Sequence, residues 1–146
     1  MTPGTILFDR NFQFKDGELG EKIFIVLNDG MRGFYVAVKT TSKGRLFGNL
    51  HGCQVTERYP NFLLTLGCCI LEKRTWVQLD TFFDFVSGGL MEKVVTNQIQ
   101  RIGILGDELT RELLVCITHA EDLTTAQENE IQFTLKGLHT KSTEDS

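Results

Sequence analysis

Two strand-like runs joined by a glycine-containing turn set the tightest limit on what this chain can fold into. Ile23–Leu27 and Phe34–Lys39 are dense in β-branched and aromatic residues, and Asn28-Asp29-Gly30 with Gly33 lies between them. Asn, Asp and Gly tolerate positive φ, so the turn has a mechanism, and the flanking runs suit a pleated, largely buried surface. The second run ends in Thr40-Thr41-Ser42-Lys43, with Arg45 just beyond. A buried hairpin that carries hydroxyls and cations out to its end is a place to hold a polar substrate.

The rest of the chain supplies short strands first and helices last. Thr5–Phe8 predicts a first strand, and residues 9–21, with Asp16-Gly17, a polar loop. Gly44–Gly52 reads as an irregular connection, Gln54–Glu57 as a short strand, Tyr59-Pro60-Asn61 as a turn and Phe62–Leu66 as a strand. Gly67-Cys68-Cys69-Ile70-Leu71 stays open, because a short apolar run does not reveal its period. Thr75–Asp80 alternates as a strand with Trp76 on one side. Thr81–Val86 is strand or one helical turn, broken by Ser87-Gly88-Gly89, and Leu90–Arg101 is strand or short helix. Asp107 is placed to cap a helix whose Leu109, Leu113, Cys116 and Ile117 fall at helical spacing. Thr124 or Thr125 caps a second, with Ile131, Leu135 and Leu138 on its apolar stripe, and Thr125-Ala-Gln-Glu128 fits a capping box. This order predicts a mainly β (α+β) domain, a small barrel-like sheet with C-terminal helices. Its boundaries are a barrel with its helix over 1–120, an additional helix over 121–138 and a flexible tail over 139–146.

A chain of 146 residues makes about one domain with a real core, and 41% hydrophobic with 23% charged residues is the balance of a soluble globule. No apolar stretch approaches the roughly 18 residues that span a bilayer, and no basic segment followed by an apolar one opens the chain. The expectation is a cytoplasmic protein with no membrane partner and four reduced cysteines. A net charge of −4 argues against non-specific coating of nucleic acid. Local basic clusters remain at Lys39, Lys43 and Arg45 and at Lys73-Arg74.

The cysteines and histidines do not make a metal site by spacing. His51-Gly-Cys53, Cys68-Cys69 and Cys116-Ile-Thr-His119 all lack the paired C-x₂-C of structural zinc, so no metal and no other cofactor is expected. Cys68 and Cys69 would point to opposite faces of a strand, and Cys116 lies on a helical apolar stripe. Cys53 as the nucleophile of a thiol hydrolase is a minor alternative. Gly103-Ile-Leu-Gly106 precedes a helix but lacks the glycines of a phosphate-binding fingerprint.

The hydroxyl and cation cluster fits one chemistry better. Cleavage of RNA by its own 2′-OH needs a base for that proton, an acid for the leaving oxygen, and donors around the charged phosphorane. Thr41 and Ser42 supply donors, Lys22 and Lys39 supply charge, and Asp80 is a candidate base or orienting group. The alternative reading of the same cluster is a solvated turn at a strand end.

In its order of features the chain resembles the PemK/MazF/Kid toxins of type II toxin–antitoxin systems. The resemblance runs over most of residues 3–118. Pro3-Gly4-Thr-Ile-Leu is similar to the family's opening, Phe14-Lys-Asp-Gly17 to its first loop and Lys22-Ile-Phe-Ile-Val-Leu-Asn-Asp29 to its R-P-x-L-V-x-S-N strand. Val36-Ala-Val-Lys-Thr-Thr-Ser-Lys43 is similar to its strand ending in Thr-Ser/Ala-Gln, and Thr75-Trp-Val-Gln-Leu-Asp80 to its S-x-V-R-x-D strand. Ile102-Gly103 and the helix from Asp107 match its ending; the second helix falls outside the pattern.

The resemblance implies an SH3-like small barrel, a homodimer, and a metal-independent endoribonuclease acting on single-stranded RNA under a cognate antitoxin or other regulatory protein. The family's catalytic arginine falls on Lys22 and its catalytic threonine on Thr41; the arginine–aspartate pair of the Kid-like branch falls on Gln78 and Asp80. Lys22 keeps the charge without the planar fork of arginine, and Gln78 carries none. The expected catalytic residues are Lys22, Thr41 and Asp80. The expected RNA contacts are Arg10, Lys39, Ser42, Lys43, Arg45 and Gln78. The runner-up is the same fold without catalysis, a protein-binding module or regulatory or defence-system subunit.

Overall fold

The hairpin that dominates the sequence sits near the middle of one antiparallel sheet. A computed structural model describes residues 1–144 apart from Lys15 and Leu66, with side chains as far as Leu138. The expectations placed on Lys15, Leu66 and residues 145–146 lie outside the described residues. The strands are β1 (Thr5–Gln13), β2 (Leu19–Val26), β3 (Phe34–Thr41), β4 (Gly52–Gln54), β5 (Asn61–Leu63), β6 (Trp76–Val86) and β7 (Ile99–Ile104). The helices are α1 (Ser87–Val95), α2 (Asp107–Ile117) and α3 (Thr125–Glu144). The seven strands pair in the order β4-β5-β6-β3-β2-β1-β7, an α+β fold that is mostly β. The expected barrel is not closed: β4 and β7 stand at opposite ends of the strand order and do not pair with each other.

Both faces of the central strands are buried, which is why their sequences read as nearly continuous apolar runs. Ile6, Ile25, Val36, Val38, Val77 and Leu79 face a core completed by Leu113 and Ile117 of α2 and Ile131 of α3. Their neighbours Leu7, Phe24, Val26, Tyr35 and Ala37 face a second core with Leu90 of α1 and Ile99 of β7. At the β2–β3 turn Gly30 has φ +70°, and a side chain there would collide with the Tyr35 ring, so the turn needs glycine twice over.

Several local expectations are corrected. Asp9–Gln13 extends β1, and β2 begins at Leu19, so little of residues 9–21 is loop; the polar run Asp9-Arg10-Asn11 coincides with the irregularity between Asp9 and Phe12 in the β1–β2 register. Thr81–Val86 is the second half of β6, and Ser87-Gly88-Gly89 opens α1 instead of only ending a strand. Gly106, not Asp107, stands at the N-cap of α2. The capping box of α3 lies one residue earlier than expected: Gln127 N–H donates to Thr124 Oγ1 at 3.1 Å, and Thr124 N–H donates to Gln127 Oε1 at 2.9 Å. The backbone of α3 continues to Glu144, past the expected start of a tail at 139. Among the described residues no helix is long and apolar enough to cross a membrane.

The cysteines are not all reduced. Cys53 of β4 and Cys116 of α2 are joined by a disulfide that closes a 63-residue separation, with their Cα atoms 5.5 Å apart. Strand register and helix packing bring these positions together, and nothing in their spacing announces it. Cys53 is therefore not a free thiol, and the thiol-hydrolase alternative falls with it. Cys68 and Cys69 remain thiols in a loop, with their sulfurs 3.0 Å apart, and not on opposite faces of a strand.

Candidate functional site

At the end of the β2–β3 hairpin away from its turn, the two strands carry different cargo. Asp9 pairs with Lys22 across β1–β2, and the Thr40 hydroxyl donates to the Ile23 carbonyl at 2.9 Å, fixing the last rung of β2 against β3. Beyond that rung the chain turns: Lys43 N–H donates to Thr41 Oγ1 at 3.1 Å. The Thr41 oxygen thus accepts a local bond while its own proton stays available to donate to a ligand.

A groove of about 670 Å³ opens here. Phe8 and Phe14 line it from β1 and the loop after it, Glu21, Lys22 and Ile23 from β2, and Thr40–Lys43 from the end of β3. Ile70, Leu71, Glu72, Lys73 and Thr75 close the remaining side. Four residues singled out from sequence, Lys22, Thr41, Ser42 and Lys43, meet in it. Thr41 is half-buried, whereas Ser42 and Lys43 are exposed.

Lys22 is the electrostatic centre. Burial lowers its ammonium pKa, and the charges of Lys39 and Lys43 lower it further. Like charges held around a partly desolvated ammonium favour any anion that enters. The groove combines this field with hydroxyl donors, two phenyl rings and the carboxylates of Glu21 and Glu72, groups suited to a sugar–phosphate and its base.

The other expected site residues stand elsewhere. Lys39 does not line the groove; its ammonium lies 5.7 Å from the centre of the Phe83 ring, and it acts on the groove through its charge on Lys22. Asp80 is exposed on β6, outside the groove. The reason is register: between Thr40↔Val77 and Val38↔Phe82, β3 advances two residues while β6 advances five. The intervening stretch turns to β5, where Gln78 pairs with Asn61, and Leu79 N–H donates to the Pro60 carbonyl at 3.0 Å. Gln78 Oε1 is buried and has no hydrogen-bond partner among the described residues. Arg10 is exposed on β1. Arg45 is exposed in the loop after β3, near Phe47, which stacks on Trp76 with ring centres 6.1 Å apart.

Sequence reasoning missed Phe8, Phe14, Glu21 and the 70–73 wall. Lys73 was visible as part of a basic pair, but nothing local tied it to Lys22. No protein-family model matches this chain, and no curated protein matches it either.

Proposed function

We propose that the chain is a PemK/MazF-like endoribonuclease toxin that binds single-stranded RNA in this groove and cleaves it by 2′-OH attack without a metal ion. The observation that carries the reading is the meeting of Lys22, Thr41, Ser42 and Lys43 around one groove in which Lys22 is held among like charges. The strand order adds support: the segments that resemble the family's motifs lie on β6, β3, β2, β1 and β7, which are consecutive neighbours in the sheet. In this reading the chain acts as a homodimer and is restrained by a cognate antitoxin or other regulatory protein.

The chemistry divides among the groove's residues. A carboxylate, Glu21 or Glu72, takes the 2′-OH proton, in place of Asp80, which does not line the groove. The 2′-oxygen attacks the adjacent phosphorus, and the bond to the 5′-oxygen breaks. The Lys22 ammonium and the Thr41 and Ser42 hydroxyls hold the non-bridging oxygens as charge builds, the term that contributes most in such reactions. Lys22, with its lowered pKa, also returns a proton to the leaving oxygen. Lys43 and Lys73 hold flanking phosphates, and Phe8 and Phe14 offer faces for bases.

The deciding experiment incubates purified protein with a long single-stranded RNA in EDTA, with Thr41→Ala in parallel. Site-selective cleavage by wild type alone is expected. Intact RNA with a folded protein would overturn catalysis and favour the second reading, a binding module on the same fold. The exposure of Asp80 outside the groove and the lysine and glutamine at the family's arginine positions are the observations on its side.

A further inference from the structure

Two consecutive cysteines are joined by a peptide whose Cα atoms stand about 3.8 Å apart when trans. That is short of the ~4.4–6.8 Å that an unstrained disulfide spans. A bond between them is strained, easily reduced and therefore reversible, the behaviour of regulatory disulfides. In a strand the two side chains would diverge. Here they sit in a loop where Cys68 N–H donates to the Thr65 carbonyl at 3.0 Å, and the sulfurs meet at 3.0 Å. Both residues are half-buried and both are free thiols, the other two cysteines being joined to each other. The next residues, Ile70 to Lys73, are the groove's outer wall, and Ile70 also packs closely over Gly103 of β7.

We propose that Cys68 and Cys69 form an oxidisable dithiol, converted by a peroxide to a vicinal disulfide that displaces the Ile70–Lys73 wall and so weakens binding in the groove. The effect on the wall stands on geometry alone; the effect on an RNA ligand rests on the function proposed above. Burial, with the hydrogen bond to Cys69, pushes the Cys68 thiol pKa up; in the proposed step Cys69 attacks first. Its thiolate breaks the O–O bond of the peroxide, becoming a sulfenic acid and releasing hydroxide. The Cys68 sulfur then displaces the sulfenic oxygen, and the S–S bond forms as water leaves. Two thiols and one peroxide give one disulfide and two waters, the thiols oxidised and the peroxide reduced.

Trypsin tests this directly, because the Tyr59–Lys73 peptide carries both thiols and no other cysteine. The intact chain is treated with hydrogen peroxide, digested, and compared with Cys69→Ser. Three results are expected: a peptide lighter by two hydrogens and closed to alkylation until dithiothreitol is added, displaced backbone amide resonances at residues 70–75, and affinity for a short 2′-O-methyl RNA lower by roughly fivefold, the modest end of coupling between sites. A peptide alkylated at both sulfurs after peroxide, or oxidised only to sulfinic acid, overturns the dithiol. A disulfide that leaves the amides unmoved overturns its link to the wall. If the amides respond but the reduced protein never binds RNA, the dithiol is supported and the nucleic-acid reading is overturned.

Discussion

The β2–β3 hairpin has two ends built on opposite electrostatic principles. At its turn the charged and amide side chains are paired. Asn28 donates to the Phe34 carbonyl at 3.0 Å and to Glu130 at 2.7 Å, and accepts from Val36 N–H at 2.8 Å. Arg32 donates to both Glu130 oxygens at 2.5 and 3.0 Å and lies 3.8 Å from the centre of the Phe133 ring. Arg32, more than any other group, holds the Glu130 carboxyl below its ordinary pKa. At the other end Lys22 is half-buried, and the charges acting on it are those of Lys39 and Lys43. One end spends its charges on docking α3; the other keeps like charges together at a cost to the fold. Such like-charge repulsion is what an anionic ligand relieves, and in the function proposed above the second end is the working one.

The contrast is broken most severely at the groove. Lys22→Ala and Thr41→Ala should each lower RNA cleavage by about 10²–10³-fold while leaving the thermal midpoint unchanged or slightly raised. An equal fall in midpoint would make these residues structural. At the turn, Glu130→Gln should cost about 2 kcal/mol, the scale of hydrogen bonds to a charged group, read by denaturant unfolding. Its pH dependence follows from the lowered pKa. The stabilisation is complete above the unfolded-state pKa and is lost as pH falls through the lower folded value. Wild type should therefore lose stability on acidification below the usual glutamate range, and Glu130→Gln should flatten that limb. Lys22 has the matching sign at the other extreme: a lowered lysine pKa makes stability rise as pH climbs towards the free lysine value. Smaller effects sharpen the picture. Phe133→Leu should cost about 0.5 kcal/mol through the lost contact with Arg32. Lys43→Ala should reduce the slope of log affinity against log salt by about 0.7 for a single strand, with stability unchanged or slightly raised.

How much of this was legible in the sequence varies with the range over which each feature is encoded. The hairpin was, because alternate residues of Ile23–Leu27 and Phe34–Lys39 bury on both faces and the turn residues are local. The capping box was legible to within one residue, since Thr124 and Thr125 offer the same hydroxyl. The polar second half of β1 was not, because Asp9 is held in the sheet by Lys22 of β2 and Ile99 of β7 and the pairing resumes only at Phe12, which no local pattern shows. Lys22, Thr41, Ser42 and Lys43 were placed from the hairpin's end chemistry. That Asp80 lies outside the groove follows from the register shift of β6 against β3, which cannot be read from alternation. The 70–73 wall and the Cys53–Cys116 bond depend on long-range packing, and no local signal carries them.

The most direct measurement is the pKa of the Lys22 ammonium, followed by NMR in protein labelled at lysine, free and with a 2′-O-methyl RNA that cannot be cleaved. In the free protein it should lie below the ordinary lysine value, and with RNA bound it should rise as phosphate offsets the neighbouring cations. A Lys22 that titrates normally, or that RNA leaves unmoved while binding elsewhere, would contradict the claim that this end of the hairpin holds the site.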